Sequence, residues 1–130
     1  MSYSHAAAAY RTREIQMATP GRLVVLVYDH IIAQLARASL AQQAGKIEER
    51  VTAVAKARAG LFELIATIDV ERGGDVATNL KRLYGFFLVE LQEFARRPEA
   101  GRLARVSEMV TELRNAFATI ASDAARVPAA

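Results

Sequence analysis

The chain has 130 residues, 52% of them hydrophobic and 24% charged, with 7 glycines, 3 prolines and no cysteine. This length predicts one domain around one core, the apolar content excludes a disordered chain, and the lack of cysteine excludes disulfides and thiolate metal sites. The formal net charge of +3 arises from 17 basic and 14 acidic residues spread along the chain rather than gathered in a block, which disfavours a nucleic-acid partner.

Met1-Ser2-Tyr3-Ser4-His5-Ala6 lacks the basic flank and apolar run of a signal peptide. No stretch approaches the ~18 uninterrupted apolar residues of a membrane span. A cytoplasmic protein without stable membrane insertion is expected. Residues 1–18 are small and polar, with two tyrosines and no sustained helical stripe, and predict a loosely attached arm. Thr19-Pro20-Gly21 then opens a long helix, because Thr19 can accept from the free first-turn amides and Pro20 suits the first helical position. Leu23, Val27, Ile31, Leu35 and Ala38 recur every three or four residues on one face of that helix until Gly45.

Val51, Val54, Leu61, Leu64, Ile65 and Ile68 form the stripe of a second helix, which is expected to end at Arg72-Gly73-Gly74, with Asp75 capping the third. The third helix carries Val76, Leu80, Leu83, Tyr84, Phe87, Leu91 and Phe94 and stops before Pro98, which disfavours helical geometry at Arg97. Leu103, Val106, Val110, Leu113, Phe117 and Ile120 mark the fourth. Four helices with short turns and no strand predict an all-α fold: an antiparallel four-helix bundle over 19–125, preceded by an N-terminal arm or short extra helix and followed by a disordered tail over 126–130.

Nothing in this pattern supports catalysis. Bundle enzymes with carboxylate-bridged metals need Glu-x-x-His pairs, and the two histidines, His5 and His30, belong to no such pair. Gly73-Gly74 lies between helices and matches no phosphate loop. No serine or threonine has a histidine at motif distance. The basic cluster Arg96, Arg97, Arg102 and Arg105 straddles a turn and holds no aromatic residue on which a base could stack. The expectation is a protein that is no enzyme and holds no metal or cofactor.

Two helices carry more apolar surface than one stripe needs. Val24, Val25, Tyr28 and Ile32 widen the face of the first, and Phe86 and Val89 lie outside the core stripe of the third. Either helix crossing angles and the arm bury these residues, or they line a groove for an apolar partner segment.

Several short stretches, taken in order, resemble the flagellar secretion chaperone family FliS. They are Ala9-Tyr10, Met17-Ala18-Thr19-Pro20-Gly21-Arg22-Leu23, Leu26-Val27-Tyr28-Asp29, Lys56-Ala57, Glu63-Leu64, Ile68-Asp69, Gly73-Gly74-Asp75-Val76-Ala77, and Asn79-Leu80 followed by Leu83-Tyr84. The resemblance covers residues 9 to 120. It implies a four- to five-helix bundle that wraps the disordered C-terminal region of flagellin one to one, prevents its premature polymerisation and delivers it to the type III export gate. It leaves open the export-gate receptor as a second partner. The chain departs from the family pattern at His30, where glycine is usual, in Leu83-Tyr84-Gly85-Phe86-Phe87, and at Phe117, which replaces a tryptophan. Gly60 stands where an aliphatic residue is usual, and partner contacts near it are expected to differ.

The surplus faces and the resemblance converge on Val25, Tyr28, Ile32, Leu83 and Phe86 as the lining of a flagellin groove. Asp29 and Asn79 could anchor backbone groups of the client, or equally serve as caps and inter-helix hydrogen bonds. Tyr10 and Ile15 are expected to fold the arm over apolar bundle surface as a lid. The competing reading is a self-associating helical scaffold or adaptor without a disordered client.

Overall fold

In the computed structural model, the described residues are 20–126. The arm with Tyr10 and Ile15, the proposed cap Thr19, and the tail beyond Arg126 lie outside them. The described chain forms four helices: α1 (Pro20–Ala44), α2 (Ile47–Thr67), α3 (Val70–Arg96) and α4 (Ala100–Arg126). Among the described residues there is no strand, and the chain is the all-α bundle that the periodicity predicts.

The helices form a ring in which α1 packs on α2 and α4, and α3 completes the ring between α2 and α4. Ile31 lies over Gly60 while Gln42 bonds Arg50, so α1 and α2 run antiparallel. The diagonal pair α1 and α3 run parallel: Tyr28 meets Tyr84 and Gln42 meets the Pro98 carbonyl, each pair 56 residues apart. The core between the helices holds Tyr28, Ile31 and Leu35 from α1, Leu61 and Leu64 from α2, Tyr84, Phe87, Leu91 and Phe94 from α3, and Leu103, Val106 and Val110 from α4.

Helix ends follow local chemistry. Gly45, at φ 71°, closes α1 where the stripe stops. α3 ends at Arg96 ahead of Pro98. The α2–α3 boundary differs from expectation. α2 stops at Thr67, whose hydroxyl bonds back to the Leu64 carbonyl at 3.0 Å, and Asp69 rather than Asp75 caps α3 by accepting from the Arg72 N–H. The glycine pair instead makes a kink inside α3, with Gly74 at φ 57° and ψ −133°. At the opposite end, Gln42 of α1 donates to Pro98 O at 2.8 Å and accepts from Arg50 at 2.9 Å, tying three segments together.

The α2 stripe is also corrected. Val51 is exposed, and small residues, Ala53, Ala57 and Gly60, occupy the face toward α1. A Cβ added at Gly60 would lie 2.7 Å from Ile31 Cγ1, so the glycine leaves the room that the Ile31 side chain fills. This accounts for a residue that otherwise weakens a helix by about 1 kcal/mol. Gly60 is itself buried. Likewise Val76 and Ile120, read as core, are exposed near helix ends.

Gly60 and Gly85 should therefore respond to alanine with opposite signs. Ile31 is branched and fully buried, so Gly60→Ala should lower the unfolding free energy by about 1 to 2 kcal/mol. Gly85 has open space around its Cα, so Gly85→Ala should raise it by about 0.5 to 1 kcal/mol. Urea denaturation of both variants checks the pair.

Candidate partner-binding surface

Tyr28, expected in an open groove, sits instead at the centre of the bundle with no exposure. Its hydroxyl shares a hydrogen bond with the buried hydroxyl of Tyr84 across the diagonal, and its ring lies 5.5 Å from that of Phe117. The reason is that α1 has neighbours on both flanks as well as the diagonal contact, so one stripe of about 100° does not fill its buried surface. Tyr28 belongs to the core. Burial raises the pKa of both phenols above the ordinary 10.0, and at Tyr28 the bond to Tyr84 raises it further.

The other groove candidates fall into two rows. Val25 and Ile32 share the flank of α1 that holds Gly21, where an added Cβ would meet Ala121 of α4 at 3.4 Å. Val25 is buried there and Ile32 half-buried. Asp29 is on the same side and accepts from Arg114 of α4 at 2.8 Å, so in this structure it ties two helices together. On α3, Asn79, Leu83, Phe86 and Glu90 follow one another at steps of four, three and four residues, which puts them on one face. Glu90 is held to Arg102 of α4 at 3.0 Å, so this row runs along the α3–α4 edge. Asn79 is exposed, Leu83 half-buried and Phe86 46% exposed.

The two rows thus flank α4 from opposite sides and do not meet in one groove. The α3–α4 row remains an accessible apolar edge, while the α1–α4 row is largely filled. Periodicity had placed Val24, Val25, Tyr28 and Ile32 on a surplus face, and none of them is exposed.

Sequence reasoning missed a third apolar row. Ile47, Val51 and Phe62 share the outer face of α2 and are each more than half exposed. Their spacing of 4 and then 11 residues was the available signal. α1, from Gly21 to Ala44, is long and apolar enough to cross a membrane. Its apolarity has a second account here, since Tyr28, Ile31, Leu35 and Ala38 form one wall of the core. Among the described residues no three His, Cys, Asp or Glu side chains converge as metal ligands would.

The described residues thus form a helical bundle whose outer faces keep apolar rows. The family described as Flagellar protein FliS matches residues 3–124, and the chain belongs to that family. The flagellar secretion chaperone FliS of Campylobacter jejuni is 38% identical over 76 residues, 58% of this chain and 59% of that protein. The flagellar secretion chaperone FliSB of Pseudomonas aeruginosa is 30% identical over 104 residues, 80% of this chain and 82% of its own. The Salmonella typhimurium chaperone FliS is 28% identical over 111 residues, 85% of this chain and 82% of its own.

The tyrosine pair makes stability fall at high pH. Above pH 10 the unfolded tyrosines lose protons that the folded ones keep, so the unfolded state binds fewer protons and unfolding becomes easier. The loss is expected to set in as the pH rises through about 10 and to grow above it, with none from this source below about pH 9. The double variant Tyr28→Phe/Tyr84→Phe should flatten that limb. Either single variant leaves one buried hydroxyl unpaired and should cost about 1 to 3 kcal/mol at neutral pH, more than the double variant costs. Thermal unfolding against pH for the four proteins checks this.

Proposed function

We propose that this chain is a cytosolic export chaperone that binds the disordered C-terminal region of flagellin one to one, prevents its premature polymerisation and hands it to the flagellar type III export apparatus, where the export-gate receptor is a second partner. The observation that carries the reading is membership of the FliS family together with the uncovered apolar edge on α3. A flagellin terminus is apolar on one side because it is built to coil against other subunits, so shielding it takes a complementary apolar surface.

Phe86 supplies the exposed aromatic anchor on that edge, Leu83 continues it inward, and Asn79 offers both a donor and an acceptor to an extended backbone. Asp29 is tied to Arg114 of α4, and Val25 and Ile32 lie on the same flank of α1, so in this reading their part in binding is to shape the bundle rather than to touch the client. In this reading residues 1–18, with Tyr10 and Ile15, act as an arm that shields apolar surface until the client arrives.

Phe86→Ala should weaken binding of a flagellin C-terminal peptide by about tenfold while moving the unfolding free energy by less than about 0.5 kcal/mol. Isothermal titration calorimetry and thermal unfolding of the same samples separate the two effects. Absence of a one-to-one complex with the unmodified chain would favour the self-associating scaffold instead.

A further inference from the structure

The start of α3 holds two competing places for a helix to begin. Asp69 caps the first turn: its side chain accepts from the Arg72 N–H at 3.2 Å and its carbonyl accepts from the Gly73 N–H at 2.9 Å. That turn, over 70–73, ends in the kink at Gly74, and the rest of α3 runs on from Asp75. Asp75 is also a residue type that caps helices, yet it is exposed and makes no side-chain hydrogen bond or ion pair among the described residues.

The kinked form requires both glycines, for different reasons. Gly74 combines φ 57° with ψ −133°, a backbone conformation that L side chains do not hold without strain. Gly73 lies so close to Ala77 that an added Cβ would sit 2.5 Å from the Ala77 Cβ, whereas residues four apart in a regular helix keep their Cβ atoms about 5 to 6 Å apart. Little else holds the turn. Every residue of 69–76 is exposed, the Arg72–Asp69 ion pair is largely solvated, and among the described residues no side chain of this stretch bonds to another helix. Anchors bound it on either side: Ile68 packs against the core and Ala77 is buried. Unwound, 68–77 reaches about 30 Å, far beyond the roughly 8 to 10 Å between the axes of packed helices, so the turn can open with both anchors in place.

We propose that 69–76 is a two-state hinge built into the fold. In the closed state Asp69 caps the turn over 70–73, and the glycine pair folds that turn back on Ala77. In the open state the turn unwinds and Asp75 takes over as the cap, accepting from the first amides of a shortened α3. One cap replaces the other, so the states lie close in free energy, and the bundle from Ala77 onward does not move. The hinge does not depend on the client proposed above.

Amide exchange of the full chain, read residue by residue by NMR and corrected for intrinsic rates, tests this at Arg72 and Gly73. Their N–H groups bond to Asp69 only in the closed state, and 84–94 of α3 serves as the internal reference. Asp69→Ala should speed exchange at Gly73 about fivefold, and Gly73→Ala or Gly74→Ala should speed it at both positions about tenfold, with 84–94 unchanged. Asp75→Ala should slow exchange at both positions about threefold to fivefold, because it removes the cap of the open state alone. A turn that merely frays would not respond to Asp75. Exchange that is unchanged or faster in Asp75→Ala therefore overturns the hinge, as does exchange that is unchanged or slower in the other variants. A change at 84–94 as large as that at 72 and 73 also overturns it, because the turn would then open only with the whole bundle.

Discussion

The hydrogen bond between Tyr28 and Tyr84 is the contact around which the bundle is arranged. It joins helices that are diagonal rather than adjacent, so it can form only if α1 and α3 run parallel at a fixed register, and Gln42 repeats that register at the far end through the Pro98 carbonyl. A buried hydroxyl left alone would be costly, so each tyrosine specifies the position of the other more narrowly than apolar packing could. Phe117 completes the site from α4, and the α1–α2 seam is brought close by Ile31 lying over Gly60. What remains outside follows from what this contact draws in.

That division explains which parts were legible in the sequence. Helix number, the stops at Gly45 and Pro98, and core positions such as Leu35, Phe87, Leu91 and Val110 were readable because large apolar residues at helical spacing and turn residues carry their own physics. The seam residues Ala53, Ala57 and Gly60 were not, because small side chains give a weak periodic signal while doing the closest packing. The α2–α3 boundary was displaced because a strong glycine signal competed with a quieter one, the Asp69 carboxylate on the Arg72 amide.

The candidate surface was legible only in part. Counting apolar residues on one helix cannot tell how many neighbours that helix has, so Tyr28 and Val25 looked surplus on α1 when the diagonal contact and α4 bury them. Phe86 on α3 is exposed as expected, because α3 has less of its circumference enclosed. Asp29 took the inter-helix role left open for it, through Arg114.

In the function proposed above, the client is received on the outside of an intact bundle, with the tyrosine pair unbroken. Amide hydrogen exchange of the chain alone and in complex with the flagellin C-terminal region tests this directly. Slower exchange along 79–86 of α3 is expected on binding, with the amides around Tyr28 and Tyr84 protected equally in both states. Faster exchange around Tyr28 and Tyr84 in the complex, or no change along 79–86, would contradict it.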